Sequence, residues 1–421
     1  MRVWAARSAI AVITAATLAA CGAEPETGPP PPAPSPSRSE QPPAGLASVL
    51  LQVPERFAQA PLDQPRRAQV PAGWTIEVIA RIPKARMAAF APDGALLVSV
   101  PATGQVLTVH PDQRPLLEGL EQPHGLYFAG STLYVAESNR IDAYDYVDGR
   151  AVNRRTVVDQ LPDAKSADLH GAYAHALKSV VVGTDGAVYF SIGSTGNVSA
   201  EDRTATPPRA TIMRVPPGGG PAEPFATGVR NGTGLAVAPD GSLWTAVNNR
   251  DDVADPQGRV RQDYVDDHPP ESVAKLTPGR ELGWPYCNPD GPPPAGFIRD
   301  MQTNADGSKM DCAALAPVEQ TLGAHSAPLG MSFAQLPQPY GPGALVGVHG
   351  SWNRQHPQAP EVSFFGWHNG TLGPQQTLVG GFQADDGSRW GRPVSAVTGP
   401  DGAVYITDDY AGAVYRLGAP G

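Results

Sequence analysis

Six copies of one short pattern, a glycine-containing turn followed by a strand of apolar residues, recur through most of the chain. The pattern is typical of a β-hairpin, because the turn reverses the chain and the alternation gives the strand a buried face. The copies lie at 90–99, 128–136, 183–193, 238–246, 341–348 and 399–407. Repeated hairpins bury their apolar faces only against one another, so the sequence predicts an all-β fold, a six-bladed β-propeller.

One gap between the copies is wider than the others. Residues 249–335 are rich in proline and glycine and contain few strand patterns, which predicts a long loop insertion over one face. Chain length alone would also allow seven or eight blades, and a pair of β-sandwiches is the other arrangement considered. The number and spacing of the turns favour six blades over both.

The N-terminus carries an export signal. Residues 1–20 place Arg2 and Arg7 ahead of an apolar run that is too short to span a bilayer. The run ends in LAAC, which resembles the lipobox of bacterial lipoproteins and implies cleavage before Cys21 and lipidation of its sulfur. A soluble secreted protein with an unmodified Cys21 is the alternative. We therefore expect an exported protein, periplasmic or at the cell surface, anchored to a membrane by lipid.

A proline-rich tract follows the signal. Residues 24–44 read EPETGPPPPAPSPSRSEQPPA and cannot form a core. We therefore expect a linker over 21–70, after which 71–421 form the propeller domain. The remaining cysteines, Cys287 and Cys312, lie in the loop-rich insertion. In an exported protein such a pair predicts a disulfide, with two free thiols as the alternative.

The charges point to a small anionic ligand rather than to nucleic acid. The formal net charge is −10 and no basic stripe is visible, which argues against nucleic-acid binding. A propeller brings loops from all blades to one channel, and cations that meet there repel one another unless an anion lies between them. We expect a ligand with several carboxylates or phosphates. The candidate residues beside strand ends are His124, His175, Lys178, Arg230, Asn231, Arg354 and Arg392.

A run of amide and acidic residues offers oxygen ligands of the kind that calcium prefers, although such runs are also common in turns. The four candidates are Asn248, Asn249, Asp251 and Asp252. No zinc-type spacing, GxSxG or GxGxxG motif occurs in a suitable context. His175 and Lys178 precede the strand SVVV, and they would face opposite sides if the strand already began there.

From about Gly73 to Leu417 the chain resembles the glucose/sorbosone dehydrogenase family, and within it the sorbosone dehydrogenase-like branch. Members of this family are six-bladed propellers that use pyrroloquinoline quinone (PQQ) and calcium. The motifs that carry the resemblance are PHGLYF (123–128), HALKSVVVG (175–183), YFSIGS (189–194), FATGVRNGTGLAV (225–237), LGWPYC (282–287), HGSWNR (349–354) and GRPVSAVTGPDGAVYITDDYAGAVYRL (391–417).

The resemblance implies a function that fits the cationic loops, because PQQ carries three carboxylates. It places the catalytic base at His175, which would take a proton from the C1 hydroxyl of a sugar as hydride passes to the quinone. Arg230 and Asn231 match the PQQ-contacting pair of the family, and Arg354 and Arg392 match its cationic clamp. Calcium would polarise the quinone carbonyl. To these cofactor contacts we add Lys178 and His124 from their positions alone.

Three positions depart from the family pattern. Ser194 stands where an acidic residue often follows the strand, Thr233 replaces a glutamine, and the second arginine of the clamp is Trp390 or is supplied by Arg389. We expect PQQ- and calcium-dependent oxidation of an aldose-type sugar or sorbosone, with an unknown electron acceptor as partner. The alternatives are a non-catalytic sugar- or PQQ-binding propeller and a calcium-dependent sugar lactonase.

Overall fold

The computed structural model describes residues 45–110, 112–384 and 386–420. The signal peptide over 1–20, the lipidation site at Cys21 and the proline-rich tract to residue 44 lie outside the described residues and stay predictions. No helix in the described part of the chain has the length and apolar character needed to cross a bilayer.

The structure consists almost entirely of β-strands. In chain order these are β1 (Leu46–Leu50), β2 (Arg67–Pro71), β3 (Thr75–Arg81), β4 (Ala88–Phe90), β5 (Leu96–Val100), β6 (Gln105–His110), β7 (Arg114–Leu117), β8 (Leu126–Ala129), β9 (Thr132–Ala136), β10 (Ile141–Val147), β11 (Arg150–Val158), β12 (Val180–Val182), β13 (Val188–Ile192), β14 (Thr211–Val215), β15 (Glu223–Thr227), β16 (Gly234–Val237), β17 (Leu243–Val247), β18 (Glu271–Leu276), β19 (Arg280–Glu281), β20 (Cys287–Pro289), β21 (Phe297–Arg299), β22 (Gln320–Leu322), β23 (Pro328–Gln335), β24 (Pro342–Val348), β25 (Glu361–His368), β26 (Thr371–Val379), β27 (Pro393–Thr398), β28 (Val404–Asp408) and β29 (Ala413–Gly418). A short helix α1 and four 3₁₀ turns lie between them, at Gln262–Val265, Glu55–Phe57, Pro101–Thr103, Glu201–Arg203 and Cys312–Ala314.

Six antiparallel sheets form the six blades of a β-propeller, as the sequence predicted. Blades I to III are β4–β7, β8–β11 and β12–β15, and the short β19 adds to the outer edge of blade III. Blade IV is β16, β17, β18 and β22, blade V is β23–β26, and blade VI is β27, β28, β29 and β3. All six predicted hairpin turns join the first and second strands of a blade. The first strands contact one another in a closed ring around a central channel.

The ring is closed by strands from both ends of the described chain. Blade VI takes its first three strands from the C-terminal part, and β3 pairs antiparallel with β29 as the fourth. Ile76 and Val78 of β3 are buried, and Ile76 pairs with Leu417. Opening the ring would therefore expose apolar side chains of both segments, so the closure couples the first and last blades.

The folded domain begins before residue 71, so the predicted linker over 21–70 is wrong for its last part. Strands β1 and β2 form a two-stranded sheet. Leu51, Leu62 and Val70 are buried in one cluster with Phe364 of blade V and Tyr415 of blade VI. This segment folds because it supplies large apolar side chains, which the proline-rich tract does not.

The long insertion is also less uniform than the sequence predicted. Within 249–335, β18 and β22 complete blade IV, so the loops are the two segments 248–270 and 277–319. The second segment carries the small β20–β21 hairpin and the disulfide between Cys287 and Cys312, which confirms the predicted pairing. Strand β22 has only three residues and follows a long irregular stretch, and β18 lies between two long loops. These features hid β18 and β22 from pattern analysis.

We expect the closing strand to be central to stability. Ile76→Ala removes a fully buried side chain from β3 and should lower the free energy of unfolding by about 2–5 kcal/mol. Ile79→Ala, which truncates a half-buried side chain of the same strand, is the matched control and should cost less. Urea unfolding followed by tryptophan fluorescence measures both. Equal losses would contradict a special role for the ring closure.

Candidate active site at the channel mouth

The candidate residues lie at one end of the propeller for a simple geometric reason. In an antiparallel hairpin, the start of the first strand and the end of the second strand are neighbours. The segments before each first strand and the turns after each second strand therefore gather at one end of the channel. His175 and Ser194 form such a pair in blade III, and Arg230 and Asn248 form another in blade IV.

His175 is held in one tautomer. Its Nδ1 lies 3.1 Å from the carbonyl oxygen of Ser194 and 2.9 Å from the Ser194 hydroxyl. That hydroxyl donates its own proton to the carbonyl of Gly196 at 2.7 Å. The Ser194 oxygens therefore accept, Nδ1 carries the proton, and Nε2 keeps a lone pair that can take up a proton. Ser194, noted above as a departure from the family pattern, positions the imidazole.

The surroundings keep His175 neutral. Burial, followed by the charge of Arg230, lowers the pKa of His175 to about 3. The ring also packs closely on β13, because a Cβ at Gly193 would lie 2.6 Å from the Cβ of His175. Glycine at 193 is therefore what lets this loop approach the strand. The result is an unprotonated, fixed base at the channel mouth.

Arg230, next to His175, organises the surrounding loops. Its guanidinium donates to the carbonyls of Asn197 at 3.3 Å and of Asn249 at 2.8 Å, and it lies 3.6 Å from the carboxylate of Asp251. These donors serve acceptors of this chain, so the structure gives Arg230 a positioning role that the sequence did not predict. Asn231 is buried, and its carbonyl accepts from the backbone N–H of Asn248.

Asp251 joins Arg230 to a histidine that the sequence analysis missed. The Nδ1 of His325 lies 3.2 Å from Asp251, and its Nε2 lies 2.8 Å from the carbonyl of Val265 and 3.2 Å from that of His268. Both ring nitrogens face acceptors, which favours the doubly protonated cation. Burial opposes that charge, but the hydrogen bond to Asp251 and the nearby Glu271 leave the pKa of His325 raised.

The residues predicted to bind calcium are held in place by neighbouring groups of the chain. The carboxylate of Asp251 is engaged by Arg230 and His325. The side-chain amides of Asn248 and Asn249 donate to the carbonyls of Pro328 and Pro270. No group of three or more His, Cys, Asp or Glu side chains suited to a metal occurs in the described ranges. Calcium binding by Asn248, Asn249, Asp251 and Asp252 therefore stays a prediction, in which the asparagine side chains would offer their amide oxygens while their N–H groups fix the turn.

A second cluster, which we call the Asp409 cluster, joins three blades. The carboxylate of Asp409 in blade VI lies 2.9 Å from Arg86, before blade I, and 2.9 Å from Arg392, before blade VI. His349 of blade V lies 3.5 Å away. Burial alone would raise the pKa of Asp409, but His349, Arg86 and Arg392 hold it well below its usual value. The cluster therefore pairs one carboxylate with two guanidinium groups.

His124 contacts the Asp409 cluster through Arg86. Its side chain is fully buried, with Nδ1 3.1 Å from the carbonyl of Lys178 and Nε2 3.5 Å from Arg86. Burial and the charge of Arg86 lower its pKa to about 3, so the neutral ring accepts from Arg86. The predicted contact of His124 with a cofactor is therefore wrong, because both ring nitrogens face groups of the protein.

Neither Lys178 nor Arg354 belongs to the Asp409 cluster or to the group around Asp251. The ammonium of Lys178 is fully buried and donates to the carbonyls of Pro162 and Ala176, each at 2.8 Å. Because the ammonium is fully buried and held by two backbone carbonyls, its predicted cofactor contact is wrong. Arg354 donates to the carbonyl of Ala324, beside His325, and therefore borders the site through the insertion.

Two departures from the family pattern are explained by packing. Trp390 is buried and its indole N–H donates to the carbonyl of Gly381, so it belongs to the core. Arg389 instead points to the mouth, where it donates to the carbonyl of Ser351. Thr233 is buried and its hydroxyl contacts the carbonyl of Pro328.

Sequence reasoning missed Arg86, His325, His349 and Asp409. A usable signal existed: each of them lies within a few residues of the start of a first strand or directly after a second strand, as His175 and Arg230 do. His349 and Asp409 also lie inside two of the motifs that carry the family resemblance.

The buried lysine gives a test of its structural role. Burial is the main cause that lowers the pKa of Lys178 to about 7, whereas an unfolded chain keeps that proton to about pH 10. The unfolded state binds more protons between these values, so the stability of the wild type rises with pH there. Lys178→Met should therefore lower the free energy of unfolding more at pH 9 than at pH 6.5, without changing PQQ affinity.

The measurement is urea unfolding at both pH values, with Lys309→Met as an exposed control. A loss for Lys178→Met that does not grow with pH, or a weakened affinity for PQQ, would contradict the structural role.

Comparisons with known proteins agree with the fold. The chain matches a family model described as TrAA12-like over residues 68–419. The PQQ domain of a pyranose dehydrogenase from Coprinopsis cinerea, in its holo form, aligns with a TM-score of 0.72, 20% identity, and coverage of 88% of this chain and 100% of that one. A calcium structure of the carbohydrate-active enzyme family AA12 from Trichoderma reesei aligns with a TM-score of 0.68, 21% identity and coverage of 83% and 96%.

A PQQ-bound aldose sugar dehydrogenase from Streptomyces coelicolor aligns with a TM-score of 0.54, 15% identity and coverage of 83% of this chain and 99% of that one. An uncharacterized protein of Borreliella burgdorferi is 27% identical over 230 residues, which are 52% of this chain and 56% of that relative. This chain thus spans little more than half the length of that relative.

The predicted relationship to PQQ-dependent sugar dehydrogenases is confirmed at the level of the family, while the sorbosone dehydrogenase-like branch stays a prediction. Because the family model covers most of its length, the chain belongs to the TrAA12-like family.

Proposed function

We propose that this protein is a PQQ-dependent dehydrogenase that oxidises an aldose-type sugar, or sorbosone, at the channel mouth. The observation that carries the proposal is His175, a neutral base of fixed tautomer beside a positively charged channel. The relatives support it, since a pyranose dehydrogenase and an aldose sugar dehydrogenase with PQQ share the fold.

The residues at the mouth fit an anion with several carboxylates. In the Asp409 cluster, the guanidinium groups of Arg86 and Arg392 share the carboxylate of Asp409, while Asp408, whose pKa burial raises to about 6, accepts from the backbone N–H of Arg392. The Nε2 of His349 and the hydroxyl of Ser326 are buried and make no hydrogen bond within the described residues. Such atoms are costly to leave unpaired, and ligand oxygens or water would satisfy them.

A second positive group lies across the channel. In a ring of six blades, blade I is opposite blade IV, so Arg86 and Arg230 approach the channel from opposite sides. Arg230 and His325 both lie beside Asp251, and burial raises the pKa of the nearby Glu271 to about 7, so this second carboxyl is only partly ionised at neutral pH. An anion placed between the two sides would be attracted by both, although the whole chain carries a net charge of −10. The residues that would hold PQQ are therefore Arg86, Arg392, His349 and the face presented by Arg230.

PQQ, when bound, would accept the hydride of the sugar, which carries both electrons of the oxidation. The chain supplies the proton transfer. Nε2 of His175 takes the proton of the hydroxyl at the oxidised carbon, while the Ser194 carbonyl holds Nδ1–H and stabilises the imidazolium that forms. Carboxylates brought in by the cofactor would also raise the pKa of His175 from its low value, which makes it a stronger base when the site is loaded.

We also propose that the site binds calcium, and the support for this comes from a structure of similar fold. The Trichoderma reesei AA12 structure is named for calcium, which supports the same ion here. However, the side chains of Asn248, Asn249, Asp251 and Asp252 are committed to other partners or stand apart, so no step is derived through that set.

The first test concerns the cofactor. Titration of the purified full chain with PQQ, followed by quinone absorbance, should give saturable binding. Arg392→Gln should weaken it about tenfold or more, because a charge-assisted hydrogen bond contributes about 1.5–3 kcal/mol. Arg416→Gln, which removes an arginine from the outer part of the same blade, is the matched control and should bind PQQ normally. Equal affinities for the two variants would contradict a PQQ site at the mouth.

The second test concerns the base. His175→Ala should reduce kcat for dye-linked sugar oxidation about 10²- to 10⁴-fold and leave PQQ affinity unchanged. His368→Ala, at the exposed end of β25, serves as the control. The acid limb of kcat/KM reports the PQQ-loaded enzyme, so it should lie at a higher pH than the lowered pKa of His175 in the cofactor-free chain. Unchanged turnover in His175→Ala, or no oxidation of any sugar by the PQQ-loaded wild type, would refute the proposal.

A further inference from the structure

We infer that Trp352 and Tyr410 form an aromatic platform at the channel rim for a second sugar ring, so the substrate class is an oligosaccharide. The inference rests on the proposed function and extends it from the oxidised ring to the rest of the substrate. It is carried by the position, exposure and anchoring of these two side chains.

Both residues belong to turns at the mouth. Trp352 lies between β24 and β25 of blade V, and Tyr410 lies between β28 and β29 of blade VI. These are turns after second strands, the same class of segment that carries Ser194. Tyr410 directly follows Asp409, and Asp409 lies 3.5 Å from His349, three residues before Trp352. The two turns therefore meet at the Asp409 cluster.

The exposure of Trp352 has no counterpart among the other tryptophans of the described ranges. Its exposed fraction is 65%, and that of Tyr410 is 51%. The other tryptophans of the described ranges are at most 8% exposed; they are Trp74, Trp244, Trp284, Trp367 and Trp390. A large aromatic side chain left in water contributes little to folding, and exposed apolar surface beside a polar site is typical of a binding surface.

The backbone around Trp352 is fixed even though the indole is free. On one side Ser351 accepts from Arg389 through its carbonyl and from the N–H of Gln358 through its hydroxyl at 2.7 Å. On the other side the carbonyl of Asn353 accepts from Gln262 of α1 at 2.8 Å. An anchored turn presents the ring with little loss of freedom on binding, which favours recognition.

The chemistry of the platform fits a saccharide. A pyranose ring presents flat faces of C–H groups, which pack on the face of an indole or phenol, while its hydroxyls stay at the edge in water. Blade VI is opposite blade III in the ring of six, so a sugar ring whose hydroxyl reaches His175 approaches from the side away from Tyr410. The platform is therefore placed for a neighbouring ring rather than for the oxidised one.

The test compares sugars that differ by one ring. The PQQ-loaded full chain is assayed with glucose, maltose and cellobiose. Trp352→Ala should lower kcat/KM for the preferred disaccharide about tenfold through KM, with glucose changed less than about twofold. Trp352→Phe should recover most of the loss, and Tyr410→Ala should act in the same direction. Leu50→Ala, an exposed apolar residue of β1, should leave all three sugars unchanged.

Equal effects on glucose and both disaccharides, or no effect on any of them, would overturn the platform. Direct binding separates this outcome from failure of the proposed function. Because the other described tryptophans are buried, disaccharide binding to the full chain without PQQ should change the fluorescence of Trp352, and Trp352→Phe should abolish that change. Saccharide binding without oxidation would sustain the platform and refute the dehydrogenase, whereas oxidation without this fluorescence change would refute the platform alone.

Discussion

The carboxylate of Asp409 is the interaction on which the channel mouth depends. It is buried, yet it remains ionised because Arg86 and Arg392 contact it from the start of the first blade and the start of the last. His349 adds a contact from the blade before. Blade VI contains the β29–β3 pairing that closes the ring, so this carboxylate joins the loops of the closing blade to those of its two neighbours, blades I and V. A buried charge of this kind is tolerated only when it is paired, and the pairing here determines where both guanidinium groups point.

The same pairing gathers cationic side chains in the centre of an acidic protein. They line both sides of the channel: Arg86 and Arg392 around Asp409 on one side, and Arg230 with His325 around Asp251 on the other. Burial raises the pKa of Glu271, which lies beneath the second group, to about 7, so its charge compensates only in part. Like charges at opposite walls of one channel are stabilised by an anion between them. The arginines are also tied to protein acceptors, so the site is organised before any ligand arrives.

The sequence allowed the fold to be predicted further than the site. The hairpins and the blade number follow from local alternation and turns, which a single chain displays directly. Ring closure by β3 and the folding of 46–71 depend on contacts between segments far apart in the chain, and no local pattern encodes them.

His175 was predicted because it precedes a clear strand within a recognisable motif. Lys178 was misplaced because its type suggested an exposed or liganded cation, whereas the structure buries it on two carbonyls. Arg86 was missed because its signal is its position just before β4, and that strand of three residues is hard to recognise in the sequence.

The insertion is joined to the site by the imidazole of His325 as well as by packing. His325 directs one N–H to Asp251 and the other to the carbonyls at the end of α1, so it connects the insertion to the residues around His175. A neutral imidazole has one N–H and would leave one of these acceptors without a donor. The protonated form therefore satisfies both sides at once, and Asp251 and Glu271 supply the negative charge that retains the proton against burial. The loop from α1 also holds the turn of Trp352 through Gln262. His175, Arg230 and the turn of Trp352 are thus linked by one path of hydrogen bonds and ion pairs that runs through the 248–270 segment of the insertion.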